Sequence, residues 1–275
     1  MTKVITFANF KGGTGKTTNS TMLAYTLSNM GYKILLVDQD PQANATSLFA
    51  KTFENINGNP PQFYKTLMAA VEDTDLHDVI TTIKPNLDLM ASYRDFIDYP
   101  DFLEDKFPGA ANRPQRVRYF AQLLEPIKSA YDFVFIDVPP TVSVYTKGAL
   151  YASDAAVIVL QTQERSLDGA ENFLFELQKL IDDQQHFVDI VGVLPVILKH
   201  GGKVDEYALQ TAKELFGEEN IFKNVIRYME RLKRWDVTGI THNEKDVHDN
   251  RVHEVYEELA NEFLARVSAL ETQGV

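Results

Sequence analysis

Asn9-Phe10-Lys11-Gly12-Gly13-Thr14-Gly15-Lys16-Thr17-Thr18 follows an apolar strand-like run at residues 3–8 and opens a helix-like run at residues 16–30. A glycine-rich turn between a strand and a helix is a phosphate-binding loop. Glycine tolerates positive φ, so successive backbone N–H groups can curl inward into an anion nest. The helix that follows presents the positive end of its dipole to the same point. Lys16 is placed to reach the β- and γ-phosphates of a nucleotide. The Thr17 hydroxyl is placed to ligate Mg²⁺, which keeps most of its shell as water and phosphate oxygen.

Outward from this loop, apolar runs alternate with helix-like stretches. Strands are expected at residues 3–8, 33–37, 86–90, 133–136, 156–160 and 190–196. Runs such as Ile34-Leu35-Leu36-Val37 and Val157-Ile158-Val159-Leu160 are apolar throughout, which suits strands buried on both faces of a parallel sheet. Helices are expected at residues 16–30, 114–129, 168–182, 204–216 and 248–270. In the last, Val252, Val255, Tyr256, Leu259, Phe263 and Val267 share a face. The alternation predicts an α/β fold: a doubly wound, mostly parallel sheet flanked by helices. One domain is expected over residues 1–275, with residues 50–113 breaking the rhythm as helices, one strand and long loops. Two strands end in carboxylates, Val37-Asp38-Gln39-Asp40 and Ile136-Asp137-Val138. Open α/β sheets bind ligands at those ends. Asp137 suits the role of holding the magnesium shell, and Thr17, Asp38 and Asp137 are the candidate metal residues.

Composition narrows the chemistry. Hydrophobic residues make up 44% and charged residues 24%, enough for a sizeable core. The chain has no cysteine, which excludes disulfides, thiolate metal sites and cysteine nucleophiles. Its six histidines are scattered, without helical metal-site spacing. The first residues enter a strand directly and no long apolar run follows, so a cytoplasmic protein without a membrane span is expected. A net charge of −12 means that any contact with nucleic acid must rest on a local basic patch.

Lys11 is the departure from an ordinary phosphate loop. A second lysine at the start of Lys11-Gly12-Gly13-Thr14-Gly15-Lys16-Thr17-Thr18 resembles the signature of the deviant-Walker-A P-loop ATPases, the ParA/MinD superfamily. Val37-Asp38-Gln39-Asp40-Pro41-Gln42-Ala43-Asn44-Ala45-Thr46 is similar to a motif of the ParA/Soj branch, which partitions plasmids and chromosomes. Asp137-Val138-Pro139-Pro140-Thr141 is similar to another. Weaker likenesses at Gln161-Thr162-Gln163-Glu164, Leu167-Asp168-Gly169 and Arg251-Val252-His253-Glu254-Val255-Tyr256 extend the resemblance over nearly the whole chain. The resemblance implies hydrolysis of ATP to ADP and phosphate with Mg²⁺, the nucleotide being bound by Lys11, Gly12, Gly13, Thr14, Gly15, Lys16, Thr17 and Thr18. It implies a homodimer formed with ATP, in which Lys11 reaches the partner's nucleotide, and an Asp40 that positions the attacking water. It implies nonspecific DNA binding, association with the nucleoid, and a ParB-like centromere-binding protein that stimulates hydrolysis. The run Asn224-Val225-Ile226-Arg227-Tyr228-Met229-Glu230-Arg231 departs from the family, which carries a proline-containing segment near the adenine. The first strand begins at residue 3, so the likeness is to short Soj-like forms without an operator-binding extension.

Residues 223–234 carry Lys223, Arg227, Arg231, Lys233 and Arg234 against a single acid, Glu230. On a helix, Arg227, Arg231 and Arg234 would share one face and contact phosphates without reading sequence. Lys199 and Lys203, beside Gly201-Gly202, would extend that DNA surface. The rival reading is a MinD-like protein acting on a membrane or a protein cargo. The acidic Glu257, Glu258 and Glu262 before the C-terminus argue against an anionic membrane surface.

Overall fold

The protein is described by a computed structural model covering residues 1–162, 164–197 and 202–273. Its strands are β1 (Lys3–Ala8), β2 (Ile34–Asp38), β3 (Ile80–Lys84), β4 (Leu87–Met90), β5 (Phe133–Asp137), β6 (Ala155–Gln161), β7 (Asp189–Ile197) and β8 (Ile226–Arg227). They form one sheet in the order β3-β4-β2-β5-β1-β6-β7-β8. Among the described strands only β3 runs antiparallel to its neighbour. The six expected strands therefore lie where the apolar runs put them. Two were not expected. Residues 50–113 hold a hairpin of two strands rather than one: Pro85-Asn86 turns the chain between β3 and β4, with Asn86 at φ 65°. The other, β8, is two residues long, too short to show a period.

The helices are α1 (Lys16–Asn29), α2 (Asn44–Asn57), α3 (Leu67–Glu72), α4 (Tyr99–Lys106), α5 (Arg113–Lys128), α6 (Val144–Ala152), α7 (Glu164–Gln184), α8 (Lys203–Phe216), α9 (Glu230–Thr238) and α10 (Val247–Gln273). Strand alternation sends each helix to a face. Ile5, Phe7, Leu36, Phe135 and Val157 face α1, α2, α9 and α10. The α10 stripe buries Val252, Tyr256, Leu259, Phe263 and Val267 there, and Phe263 packs edge-on against Phe135 at 5.6 Å. On the opposite face, Val4, Leu35, Val134 and Ile136 meet α3 to α6. Beside them, Ile158 and Leu160 meet α7 and α8. Each such side chain contributes roughly 1.5–3 kcal/mol when fully buried.

The consequence for function is positional. β1 is central, and the loop after it emerges between the C-terminal ends of β5 and β6. That is the crevice where parallel sheets place ligands.

Candidate active site

The helix behind the glycine loop begins without a side-chain cap. Gly15 stands at its N-cap in the left-handed conformation, φ 91°, and no side chain takes up a first-turn N–H. An α-helix cannot satisfy those groups itself, so they are available to an anion. Three side chains hold the loop instead. Asn9 Oδ1 accepts from Lys11 N at 2.8 Å while Asn9 Nδ2 donates to Val159 O at 2.9 Å. Gln161 Nε2 donates to Gly13 O at 3.2 Å, and Asn19 Nδ2 to Gly15 O at 2.8 Å. From the far side α7 closes in at Gly169, where a Cβ would lie 2.6 Å from Asn9 Oδ1. Any larger residue there would push the helix off the loop.

Lys16 and Asp137 meet at the bottom of the crevice. Lys16 is buried, and its Nζ donates to Lys11 O at 3.3 Å. Burial lowers its pKa, opposed by the charges of Asp137 and Asp40. Thr17 Oγ1 donates to Asp137 Oδ2 at 2.6 Å, and Ser20 Oγ to Asp137 Oδ1 at 3.4 Å. Asp38 and Asp137 are register partners on β2 and β5, both fully buried. Burial pushes both carboxyls above the usual carboxylate range; Asp38 is pushed further by Asp137, and Asp137 by Asp40. Paired buried carboxylates resist joint ionisation unless cations stand beside them.

Asp38 has a different task from Asp137. Its Oδ2 accepts from Thr46 N at 2.9 Å and Thr46 Oγ1 at 2.8 Å, and its Oδ1 from Asp40 N at 3.1 Å. These bonds fold residues 38–46 into a turn that carries Asp40. Asp40 is itself pinned by Gln42 N, 2.9 Å from Oδ1. Of the three candidate metal residues, Thr17 and Asp137 converge, while Asp38 lies beneath them as the anchor of the turn. Mg²⁺ takes oxygen ligands, only one or two of them from protein, so this pair of hard oxygens against a buried excess of negative charge fits the ion. Among the described residues no group of three or more His, Asp or Glu forms a metal cage.

Beside the loop lies a cleft of about 160 Å³, walled by Val196, Ile226, Met229, Leu232 and Tyr256. Here the basic segment departs from expectation. Arg227 belongs to β8, and the helix starts only at Glu230, so Arg227, Arg231 and Arg234 share no helical face. Arg227 and Lys233 line the cleft. Arg231 pairs with Asp246 and, at 3.2 Å, with the buried Asp249. Arg234 is exposed, as is Lys203 at the start of α8. Lys199 lies outside the described residues.

The AAA domain family matches residues 2–190. The sporulation initiation inhibitor protein Soj of Bacillus subtilis (strain 168) is 31% identical over 270 residues, spanning 96% of this chain and 99% of that one. This chain belongs to the ParA/Soj branch of the ParA/MinD superfamily of ATPases. The chromosome-partitioning ATPase Soj of Treponema pallidum (strain Nichols) is 26% identical, covering 97% of this chain and 98% of its own length. Two solved structures share the fold. An aspartate-to-alanine variant of McdA from Cyanothece, in complex with ATP, superposes with a TM-score of 0.78 at 20% identity, covering 96% of each chain. A plasmid partition protein of Borrelia burgdorferi B31 bound to AMPPNP gives 0.72 at 23% identity, covering 96% and 99%. Several site residues of this ParA/Soj-type chain lie outside the motifs that define it: Asn9, Asn19 and Ser20. Gly169 had a signal of its own, a glycine inside a helical pattern.

Proposed function

We propose that this protein is a partition ATPase that hydrolyses ATP to ADP and phosphate, with Mg²⁺, in the service of plasmid or chromosome segregation. The observation that carries the reading is the convergence of the uncapped α1, Lys16 and the Thr17–Asp137 pair on one crevice, with Asp40 held at its rim. Phosphoryl transfer needs positioning and charge stabilisation more than covalent chemistry. The first-turn N–H groups and Lys16 would hold the β- and γ-phosphates. Thr17 and Asp137 would hold Mg²⁺, which neutralises charge on the phosphate oxygens, with Asp38 supporting them from below. Asp40 would orient water for attack on the γ-phosphorus. The bond to the β,γ-bridging oxygen breaks and the electron pair leaves with ADP. The cleft beside Gly13 would take the base.

Within this reading the ATP form is a homodimer in which Lys11 reaches the partner's nucleotide. In the single chain Lys11 Nζ donates to Gln161 Oε1 at 3.3 Å, a contact that would have to be exchanged on dimerisation. The dimer holds nonspecific DNA on the nucleoid, and a ParB-like protein at a centromere triggers hydrolysis and release. In this reading the DNA surface lies farther out than the expected stripe of Arg227, Arg231 and Arg234. A hollow of about 350 Å³ between α9 and α10 is lined by Arg231, Arg234, His248 and Arg251, and Arg234 and Arg251 would meet the phosphates. The test is DNA retention at low salt without nucleotide, with ADP, with ATP, and with ATP plus Asp40→Ala. Retention that needs ATP and outlasts wild type in the variant is expected, with phosphate release about 10²-fold slower. Retention in no state would withdraw the DNA role.

A further inference from the structure

Asn19 holds the phosphate loop and Tyr256 walls the neighbouring cleft, and together they join the last helix to the loop. Asn19 lies one turn into α1 and is 1% exposed; Tyr256, on α10, is fully buried. Gly15 O accepts two bonds, from Asn19 N at 2.9 Å and from Asn19 Nδ2 at 2.8 Å. The Tyr256 hydroxyl donates to Asn19 Oδ1 at 3.0 Å. Chemistry fixes the direction of this chain. A carbonyl only accepts, so the amide nitrogen must face Gly15; the amide oxygen then faces Tyr256, whose hydroxyl must donate.

The bonds matter because of what lies on the other side of the Gly15–Lys16 peptide. In a planar trans peptide the C=O and the following N–H point in opposite directions. Holding Gly15 O toward α1 therefore aims the Lys16 N–H away from the helix, into the loop where an anion would sit. Glycine needs such restraint, since it moves easily between backbone conformations. Asn19 Nδ2 also stands 3.2 Å from where a Cβ on Gly15 would be, so it fills the space that the glycine leaves.

We infer that Tyr256, acting through Asn19, is a positioning residue for nucleotide binding: it pins the Gly15 peptide in the orientation the phosphates require. The inference rests on the nucleotide reading above. The same tyrosine lines the cleft beside the loop, together with Met229 and Leu232. One side chain thus walls the base end of the crevice with its ring and holds the phosphate end with its hydroxyl.

Tyr256→Phe keeps the ring and removes only the hydroxyl. In titration calorimetry with Mg²⁺ and ATP, the variant binds about three- to tenfold more weakly than wild type. Without nucleotide, amide exchange at Asn19, whose N–H donates to Gly15 O, quickens while exchange in β5 stays as in wild type, which a general loss of stability would not produce. Asn19→Thr supplies a rescue. A threonine hydroxyl bonds back to the carbonyl one turn earlier, as Thr21 Oγ1 does to Thr17 O at 2.6 Å, and needs no tyrosine. In that background Tyr256→Phe costs less than about twofold in affinity, the size of a lost coupling. Wild-type affinity and unchanged exchange of the Asn19 amide in Tyr256→Phe would overturn the inference, as would an equal loss in both backgrounds. Failure of the wild-type protein to bind ATP would refute the nucleotide reading instead, and the nucleotide-free exchange data would still judge the pair.

Discussion

The two lysine- and arginine-rich stretches of this chain, residues 11–16 and residues 223–234, have opposite fates. In the first, a tight loop sets two lysines and a run of N–H groups around one crevice, and every position follows from local backbone chemistry. In the second, five cations within twelve residues are scattered by a strand, a turn and a helix. Arg227 and Lys233 go to the cleft, Arg231 to Asp246 and the buried Asp249, and Arg234 to solvent. A cationic side chain does what its backbone element and its carboxylate neighbours permit. Sequence spacing predicts its neighbours only where the chain is too short to bend away.

The largest effect is expected in the first stretch. Lys16→Ala should lower phosphate release at saturating ATP by roughly 10³-fold, because it removes the buried cation at the charge-developing phosphate. Near-normal turnover in this variant would make residues 11–16 as dispersible as residues 223–234 and break the contrast.

The second stretch should respond in stability before it responds in DNA binding. Arg231→Ala leaves Asp249, 1% exposed, beside an empty space and should cost about 3 kcal/mol in urea unfolding. Arg234→Ala should cost under about 0.5 kcal/mol yet reduce the salt slope of DNA retention by about one. Equal stability losses in the two variants would show that residues 223–234 act as one surface after all.

The smallest effect sharpens the comparison from the acidic side. The folded pKa of Asp137 is raised, to about 6, with Asp38 at about 7. Carboxyls raised in the folded state give their full contribution to stability below about pH 4 and lose it as pH rises through these values. The nucleotide-free protein should therefore lose stability between pH 4 and 7. Asp137→Asn should flatten that loss by something on the order of 2 kcal/mol, read from denaturant midpoints at pH 5 and 8. An unaltered pH slope would mean that Lys16 already neutralises the pair.

Most of the fold was legible because buried parallel strands are apolar throughout and crossover helices repeat every 3.6 residues. β3 escaped notice because Thr81 and Thr82 sit on an edge strand that is only partly covered. The helix that would have aligned Arg227, Arg231 and Arg234 begins only at Glu230, because charge spacing cannot tell a helix from a strand that turns into one. The phosphate loop was legible in full, since glycines, lysine and threonine sit side by side in the chain. The residues that hold it were not. Asn9, Asn19 and Gln161 are ordinary amides until the fold puts a carbonyl or an N–H opposite each of them.

By itself the sequence determined a doubly wound sheet, a phosphate loop after its first strand, and carboxylates at the ends of β2 and β5. Those features depend on local periodicity and on what glycine and a helix terminus do to a backbone. Tertiary structure alone decided that Asp38 anchors while Asp137 faces Thr17, that Arg231 is spent on Asp249, and that Tyr256, 237 residues beyond Asn19, closes the hydrogen-bond chain to Gly15. Each of those outcomes depends on which polar group lies opposite another once distant segments pack, and that is set by the register of the sheet and the seating of α10 on α1.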